Sequence, residues 1–349
     1  MPKTTPRPPF ILCGHEVPAG TVATIDAPIS RLSTSTEVSL PIRVIHGAKP
    51  GPTMFVSAAI HGDEILGVEV IRRLLTHVSA KRLCGTLLCI PIVNVFGFVA
   101  HQRYLPDRRD LNRCFPGSAK GSLAAQLANV FTTEIIEQCD FGVDLHTAAL
   151  HRTNLPQIRI SADRPRAAEL AKVFAPPAII TSSLREGSLR QTAAEHDCDV
   201  LLFEAGEALR FDELAIRIGV QGILRVMNHL GMGVRKPAKS AAASVRSVRT
   251  SWVRASEGGI FRAIKAAGQF VEDGELLGTI SDPFGEENHD ITATLSGVII
   301  GRTNLPVVNQ GDALMHIAEV VAPDTADDRL NDIAEAVLAD TMFDEDEII

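Results

Sequence analysis

Three short apolar runs, each ending in residues that bind metals, constrain this chain most: Met54–Glu64 (MFVSAAIHGDE), Phe141–His146 (FGVDLH) and Leu201–Glu204 (LLFE). Each is built of β-type residues and stops at a His or Glu. Strands of an open α/β sheet carry their ligand sites just beyond their carboxyl ends. If the three strands are parallel, His61, Glu64, His146 and Glu204 converge on one edge of one sheet. Two imidazoles, one carboxylate and a second, free carboxylate are the donors of a hydrolytic zinc site.

The surrounding pattern supplies the sheet. Met54–Ile60 reads as a buried strand, Glu64–His77 as a helix with apolar residues at helical spacing, and Thr86–Val93 as a second buried strand. That unit implies a parallel pair joined by a crossover helix. The alternation continues with a helix near Ser122–Gln138 and strands at Phe141–His146 and Gln157–Ser161. A helix over Asp163–Phe174, a strand at Ala178–Thr181, a helix near Ser188–His196, a strand at Val200–Glu204 and a helix over Phe211–Leu230 follow. Before all of these, Glu37–His46 is the best strand of a region of short strands and turns. The expected fold is therefore α/β: a mixed, largely parallel sheet flanked by helices, followed by a small all-β module.

That module lies beyond a basic, aperiodic linker. We expect a catalytic unit over residues 1–234, a linker over 235–250, an all-β domain over 251–320 and an acidic tail over 321–349. Two stretches of the all-β part, Gly258–Ile280 and Ser296–Ile317, echo one another, each ending in a V-x-x-G-[ED]-x-L-like segment (Val271–Leu276 and Val308–Leu314). This pseudo-repeat resembles the biotinyl/lipoyl-carrier fold. The segment between the halves, Ser281–Asp290, has no lysine to modify, so a module that shields or shapes the active site is the better expectation.

Charge narrows the partners. Residues 324–349 hold ten acidic residues against Arg329 alone, a net of -9 within a chain total of -8, which leaves +1 for the rest. A nearly neutral body has no basic surplus for nucleic acid. No apolar stretch suits a membrane-spanning helix, and the Pro-rich N-terminus lacks a signal-peptide core. Six scattered cysteines without a C-x-x-C pair fit a reducing cytoplasm. Leu330, Ile333, Val337 and Leu338 have helical spacing, so part of the tail is expected to dock as an amphipathic helix, while the closing DEDEII reads as a solvated end.

Around the ligands, each residue has an ordinary reading beside the functional one. His61 could simply end a strand and Glu64 could favour a helix start through the dipole. His146 at a strand tip, with Asp144 available to orient it, tips the balance toward a metal. Such a site acidifies a bound water, and a free carboxylate can take its proton. Glu204 fits, because Ala205-Gly206 lets the chain turn away; Glu207 is the neighbouring alternative, and a helix-start acid is the ordinary reading. The Arg-rich loop Gln102–Gly117 (QRYLPDRRDLNRCFPG) borders apolar Cys114-Phe115, and arginine can clamp a carboxylate with two parallel hydrogen bonds.

HGDE, Arg109–Arg113 (RDLNR), DLH and FEAG, in this order, resemble the succinylglutamate desuccinylase/aspartoacylase family of the zinc carboxypeptidase-like superfamily. The resemblance covers about residues 50–320. It implies one Zn2+ per chain held by His61, Glu64 and His146, with Glu204 as general base and acid. It implies Arg103 as the group polarising the scissile carbonyl, with Arg108 and Arg109 close by, and Asn112 and Arg113 as holders of the α-carboxylate of an N-acyl amino acid. Arg190 (in GSLR) could add a second anion contact, or stand as a surface arginine at a helix start. Relatives often place a tyrosine near the scissile bond, but the single tyrosine here is Tyr104. The expected activity is removal of an acyl group from a small N-acyl amino acid, acidic or, as in diamino-acid deacetylases among relatives, basic. The alternatives are a carboxypeptidase-like peptidase and a non-catalytic metal- or ligand-binding protein. Nothing in the residues fixes a homo-oligomer.

Overall fold

The computed structural model describes residues 7–234, 243–320 and 326–339. Its main element is a mixed sheet of thirteen strands. At its centre Cys84–Ile90, Lys49–Ala58, Phe141–Ala148 and Asp199–Glu207 lie side by side and parallel. Glu37–His46 and Thr21–Arg31 extend one edge antiparallel. On the other side Arg152–Ile160 runs antiparallel to Asp199–Glu207 and is parallel to the short Ala178–Thr181 strand. The sheet is mixed as expected but not largely parallel: among the described residues seven of its twelve strand pairings are antiparallel, and the parallel strands are gathered in the middle where the ligands are.

Burial on both faces explains the composition of these strands. Every residue of Phe141–Ala148 is buried. On Lys49–Ala58, alternate side chains enter different cores: Met54, Val56 and Ala58 one cluster, Phe55 the other. The first core is closed by the Leu66–His77 helix through Leu66, Val70, Ile71 and Leu74, and by Glu213–His229. The second is closed by the Leu123–Glu134 helix, whose Phe131 meets Phe55 edge-on, ring centroids 5.6 Å apart. Helices on both faces leave no polar side for these strands, which is why they read as continuous apolar runs rather than alternating ones.

The strands beyond residue 250 form two groups. Gly259–Ala263, Leu276–Ser281, Asn288–Thr292 and Val307–Val308 make a separate four-stranded sheet. Gly297–Thr303, Ala313–Glu319 and Thr250–Arg254 instead join the main sheet, through pairing of Gly297–Thr303 with Arg152–Ile160. The two echoing stretches exchange short strands: Phe270–Val271 pairs with Gly297–Val298, and Val307–Val308 with Gly259–Ile260. A helix spans Ala326–Leu338, with Leu330, Ile333 and Val337 buried as their spacing predicts. Leu338 departs from that expectation: it is 55% exposed. The linker residues 235–242 and the closing DEDEII lie outside the described residues. Among the described residues, no helix is long and apolar enough to cross a membrane.

Candidate active site

The strand Lys49–Ala58 ends before His61, and the following helix starts at Leu66 rather than at Glu64. His61–Glu64 is therefore a turn, not the first turn of a helix, and Glu64 is free to fold back. A close approach fixes this turn. A Cβ on Gly62 would stand 2.0 Å from the carbonyl carbon of Gly97, so only glycine fits there. Gly97 belongs to Val95–Ala100, a short helix absent from the sequence reading, capped by Asn94 Oδ1, which accepts from Gly97 N at 2.8 Å. The same amide donates Nδ2 to the carbonyl of Arg103 at 3.2 Å, so one capping residue also sets the start of the arginine loop.

Two strand ends also differ from expectation. His146 and Glu204 are not at strand tips: the strands continue to Ala148 and Glu207. The two residues are in-register partners across parallel strands and so lie side by side. The helix after Glu204 begins only at Glu213 with an Asp212 cap, which removes the helix-start reading of Glu204. Glu207 is engaged elsewhere, its carboxylate accepting from His151 N and Asn304 Nδ2.

His61, Glu64 and His146 are all buried, with ligand atoms within 4.8 Å of one another. Glu64 lies between the imidazoles: Oε1 is 2.7 Å from His61 Nδ1 and Oε2 is 2.8 Å from His146 Nδ1. Each imidazole turns its other nitrogen to an aspartate. His146 Nε2 faces Asp144 Oδ2 at 2.8 Å, and His61 Nε2 faces Asp110 Oδ1 at 3.1 Å. Asp144 is itself held by Ser57 Oγ at 2.8 Å. Asp110 was missed in the sequence because it acts across 49 positions, in a loop whose arginines drew attention.

The electrostatics follow from this packing. Burial disfavours charge on both imidazoles, but the carboxylates outweigh it: Glu64 and Asp110 raise the pKa of His61, and Asp144 and Glu64 raise that of His146 well above its ordinary value. Burial alone would raise Glu64, yet the two imidazoles pull it below the usual carboxylate range. Asp63 is raised by burial and by Glu64, and its Oδ1 is buried without a hydrogen-bond partner. The donor set suits a divalent cation, which would replace the protons as the positive charge between these groups.

Arg103 stands over the cluster. Its NH1 donates to Glu64 Oε1 at 3.0 Å and its NH2 to Asp110 Oδ2 at 3.1 Å. Arg109 by contrast is mostly exposed beside Asp107, so of these two Arg103 is the one at the cluster. Asn112 and Arg113 sit on a 3-10 turn, Leu111–Arg113, capped by Asp110. Asn112 Oδ1 accepts from Leu189 N at 2.9 Å, which leaves the amide nitrogen as its donor, and Arg113 is exposed.

Arg190 is not the surface residue its sequence context allows. Its NH2 donates to Ser182 Oγ and Ser183 O, while NH1 is buried without a partner. Burial and then the Arg159 guanidinium lower its pKa to about 10, opposed by Glu204. Arg159 Nε forms an ion pair with Glu204 Oε1 at 3.6 Å, too long for a hydrogen bond, and is buried without a hydrogen-bond partner. Two arginines with donors outside any hydrogen bond therefore flank the Glu204 carboxylate. Tyr104 is 48% exposed next to Arg103, and the aromatic residues that later strands bring toward this end are Trp252 and His316, stacked at 4.3 Å.

Comparison with known proteins adds the following. The family description "Succinylglutamate desuccinylase/Aspartoacylase catalytic domain" matches residues 50–230. The chain is 27% identical over 297 residues to an N-alpha-acetyl-L-2,4-diaminobutyric acid deacetylase of Halomonas elongata, covering 81% of this chain and 86% of the relative. It is 33% identical over 108 residues to a succinylglutamate desuccinylase of Burkholderia cenocepacia, 28% of this chain and 30% of that one. A solved structure of a succinylglutamate desuccinylase/aspartoacylase from Rhodobacter sphaeroides superposes with a TM-score of 0.77 at 26% identity, over 86% of this chain and 95% of that one.

Proposed function

The chain belongs to the succinylglutamate desuccinylase/aspartoacylase family, whose members are acyl amino acid deacylases, and from that membership we propose that it is a zinc-dependent hydrolase cleaving the amide bond of an N-acyl amino acid. One observation carries the zinc reading. Glu64 and the Nδ1 atoms of His61 and His146 face one another in a buried cluster, while Asp110 and Asp144 hold the opposite nitrogens. An aspartate on Nε2 fixes the tautomer that leaves the Nδ1 lone pair for a metal. Bound there by His61, Glu64 and His146, zinc supplies an acidified water and a positive charge for the carbonyl oxygen.

The chain's own residues do the rest. Glu204, beside His146 in register, takes the water's proton at its carboxylate and returns it to the leaving nitrogen. Arg103, anchored on Glu64 and Asp110, presents its guanidinium to the charge that develops on the carbonyl oxygen. The Asn112 amide nitrogen and Arg113 hold the α-carboxylate. The donors of Arg159 and Arg190 outside any hydrogen bond, beside Glu204, favour a substrate with a second carboxylate. The likeness to the Halomonas elongata deacetylase favours a diamino acid instead.

In the same reading the catalytic unit spans residues 1–234, and residues 251–320 form a β module of biotinyl/lipoyl-like pattern that shapes the site. The support for that module is the exchange of short strands between its two halves.

The test is elemental analysis of the purified protein, followed by assay on N-succinyl-L-glutamate, Nα-acetyl-L-2,4-diaminobutyrate, N-acetyl-L-leucine and a dipeptide. One zinc per chain and release of a free amino acid support the proposal. Hydrolysis of the dipeptide alone would make the protein a peptidase. A protein that takes up no zinc and hydrolyses nothing is a binding protein instead.

A further inference from the structure

Glu204 projects from a strand on a flexible side chain, and a general base works only when its carboxylate is aimed. Among the described residues, that carboxylate makes one hydrogen bond: Asn154 Nδ2 donates to Oε2 at 2.8 Å. Asn154 reaches it through an irregularity in the ladder. Glu204 pairs with Gln157 and Gly206 with Asn154, so four residues of the Arg152–Ile160 strand run against three of Asp199–Glu207. Such bulges re-aim side chains.

The other side of Asn154 is fixed from the C-terminal strands. Its in-register partner there is Gly301, of Gly297–Thr303. A Cβ on Gly301 would lie 2.7 Å from Asn154 Oδ1, closer than such atoms pack. Gly301 pairs in turn with His316, which lies opposite Trp252. The amide is thereby confined between the carboxylate it holds and a glycine whose missing side chain makes its room.

We propose that Asn154 is the positioning residue for Glu204, and that Gly301 is the element of the C-terminal strands that keeps it in place. This rests on Glu204 being the general base. Asn154 touches no reacting atom; it holds Oε2 and so selects the orientation in which Glu204 Oε1, ion-paired with Arg159 at 3.6 Å but not hydrogen-bonded, is left for a proton. It also explains how strands beyond residue 250 bear on the reaction without supplying a group to it.

The experiment uses Asn154→Ala, Asn154→Asp and Gly301→Ala, each alone and combined with Glu204→Gln, assayed on whichever of the four compounds above is hydrolysed fastest. Asn154→Asp keeps the side chain's shape but replaces the donor with an acceptor, so a loss there is not a packing effect. Both Asn154 variants should lower kcat about ten- to a hundredfold, the range of a hydrogen bond to a charged group, with KM within about threefold. Zinc content should stay at the wild-type level. Gly301→Ala should lower kcat in the same direction. On the Glu204→Gln background, Asn154→Ala should add less than about twofold, because the group it aims is gone.

Wild-type kcat in Asn154→Asp, beside an inactive Glu204→Gln, overturns the inference and leaves the base assignment standing. A loss carried in full onto Glu204→Gln shows a merely structural role and overturns it as well. Wild-type kcat in Gly301→Ala removes the glycine's part. Wild-type turnover in Glu204→Gln alone sinks the base assignment, and this inference with it, before any Asn154 variant is made.

Discussion

Asp110 Oδ1 lies 3.1 Å from His61 Nε2, so the loop that presents Arg103, Asn112 and Arg113 also braces one of the candidate metal ligands. The same carboxylate holds Arg103 and caps the turn carrying Asn112. Metal affinity and substrate binding are thus tied to one side chain. Asp110→Ala should weaken zinc binding about 10- to 100-fold, the usual effect of removing a carboxylate behind a ligating imidazole. Competition with a fluorescent chelator measures it. Unchanged affinity would mean that His61 is oriented by something else.

Glu204 and His61 should separate chemistry from metal binding. Glu204 is not part of the buried ligand cluster, and its loss removes proton transfer only. Glu204→Gln should lower kcat by about 10²- to 10⁴-fold at full zinc content. His61→Ala should lose the metal itself. Zinc analysis beside turnover distinguishes the two, and a Glu204→Gln protein of near-normal turnover contradicts the assignment.

Gly62 is required for a steric reason. A methyl group there would meet the backbone of Gly97 at 2.0 Å, and neither partner is a side chain that can swing away. Gly62→Ala should displace the turn between His61 and Glu64. The expected cost is about 1–3 kcal/mol of stability, as for overpacking elsewhere, together with a drop in zinc content. Chemical denaturation and metal analysis read the two effects, and an unperturbed protein would show that the turn tolerates a Cβ.

These predictions draw unequally on what the sequence reveals. The central strands were legible because burial on both faces leaves an unbroken apolar run, and their ligands were legible because they interrupt it. His61, Glu64 and His146 are brought together accordingly. The exact strand ends were not, since His146 and Glu204 lie within strands that continue past them. The short helix Val95–Ala100 escaped notice because six residues are too few to show a helical period. Asp110, Asn154 and Gly301 escaped for another reason. Asn154 and Gly301 act through contacts set by strand register and a bulge, and Asp110 reaches His61 across 49 positions from a loop, and no local pattern encodes either. For Arg190 the sequence left an anion contact and a surface arginine side by side, because the charges that surround it, Arg159 and Glu204, come from other strands.

His316 gives a prediction that needs no substrate. It is 5% exposed, stacks on Trp252 with ring centroids 4.3 Å apart, and its Nδ1 is buried without a partner. Burial, reinforced by the Arg159 charge, lowers its pKa to about 3 from the ordinary 6.5. The folded state therefore holds it neutral, whereas the unfolded chain protonates it as pH falls below about 6.5. Its contribution is intact above that pH, is lost progressively below it, and stops changing only near the folded value. Between pH 7.5 and 5.5 the folded pKa is too low to matter, so the loss is fixed by the unfolded one at about 1.4 kcal/mol. His316→Phe keeps an aromatic ring against Trp252 and removes the proton site. Urea unfolding at the two pH values should show the wild type losing about 1.4 kcal/mol more than the variant, every other titrating group being common to both. Equal losses in the two proteins would mean that His316 is protonated in the folded state, with its Nδ1 bonded to a group such as water.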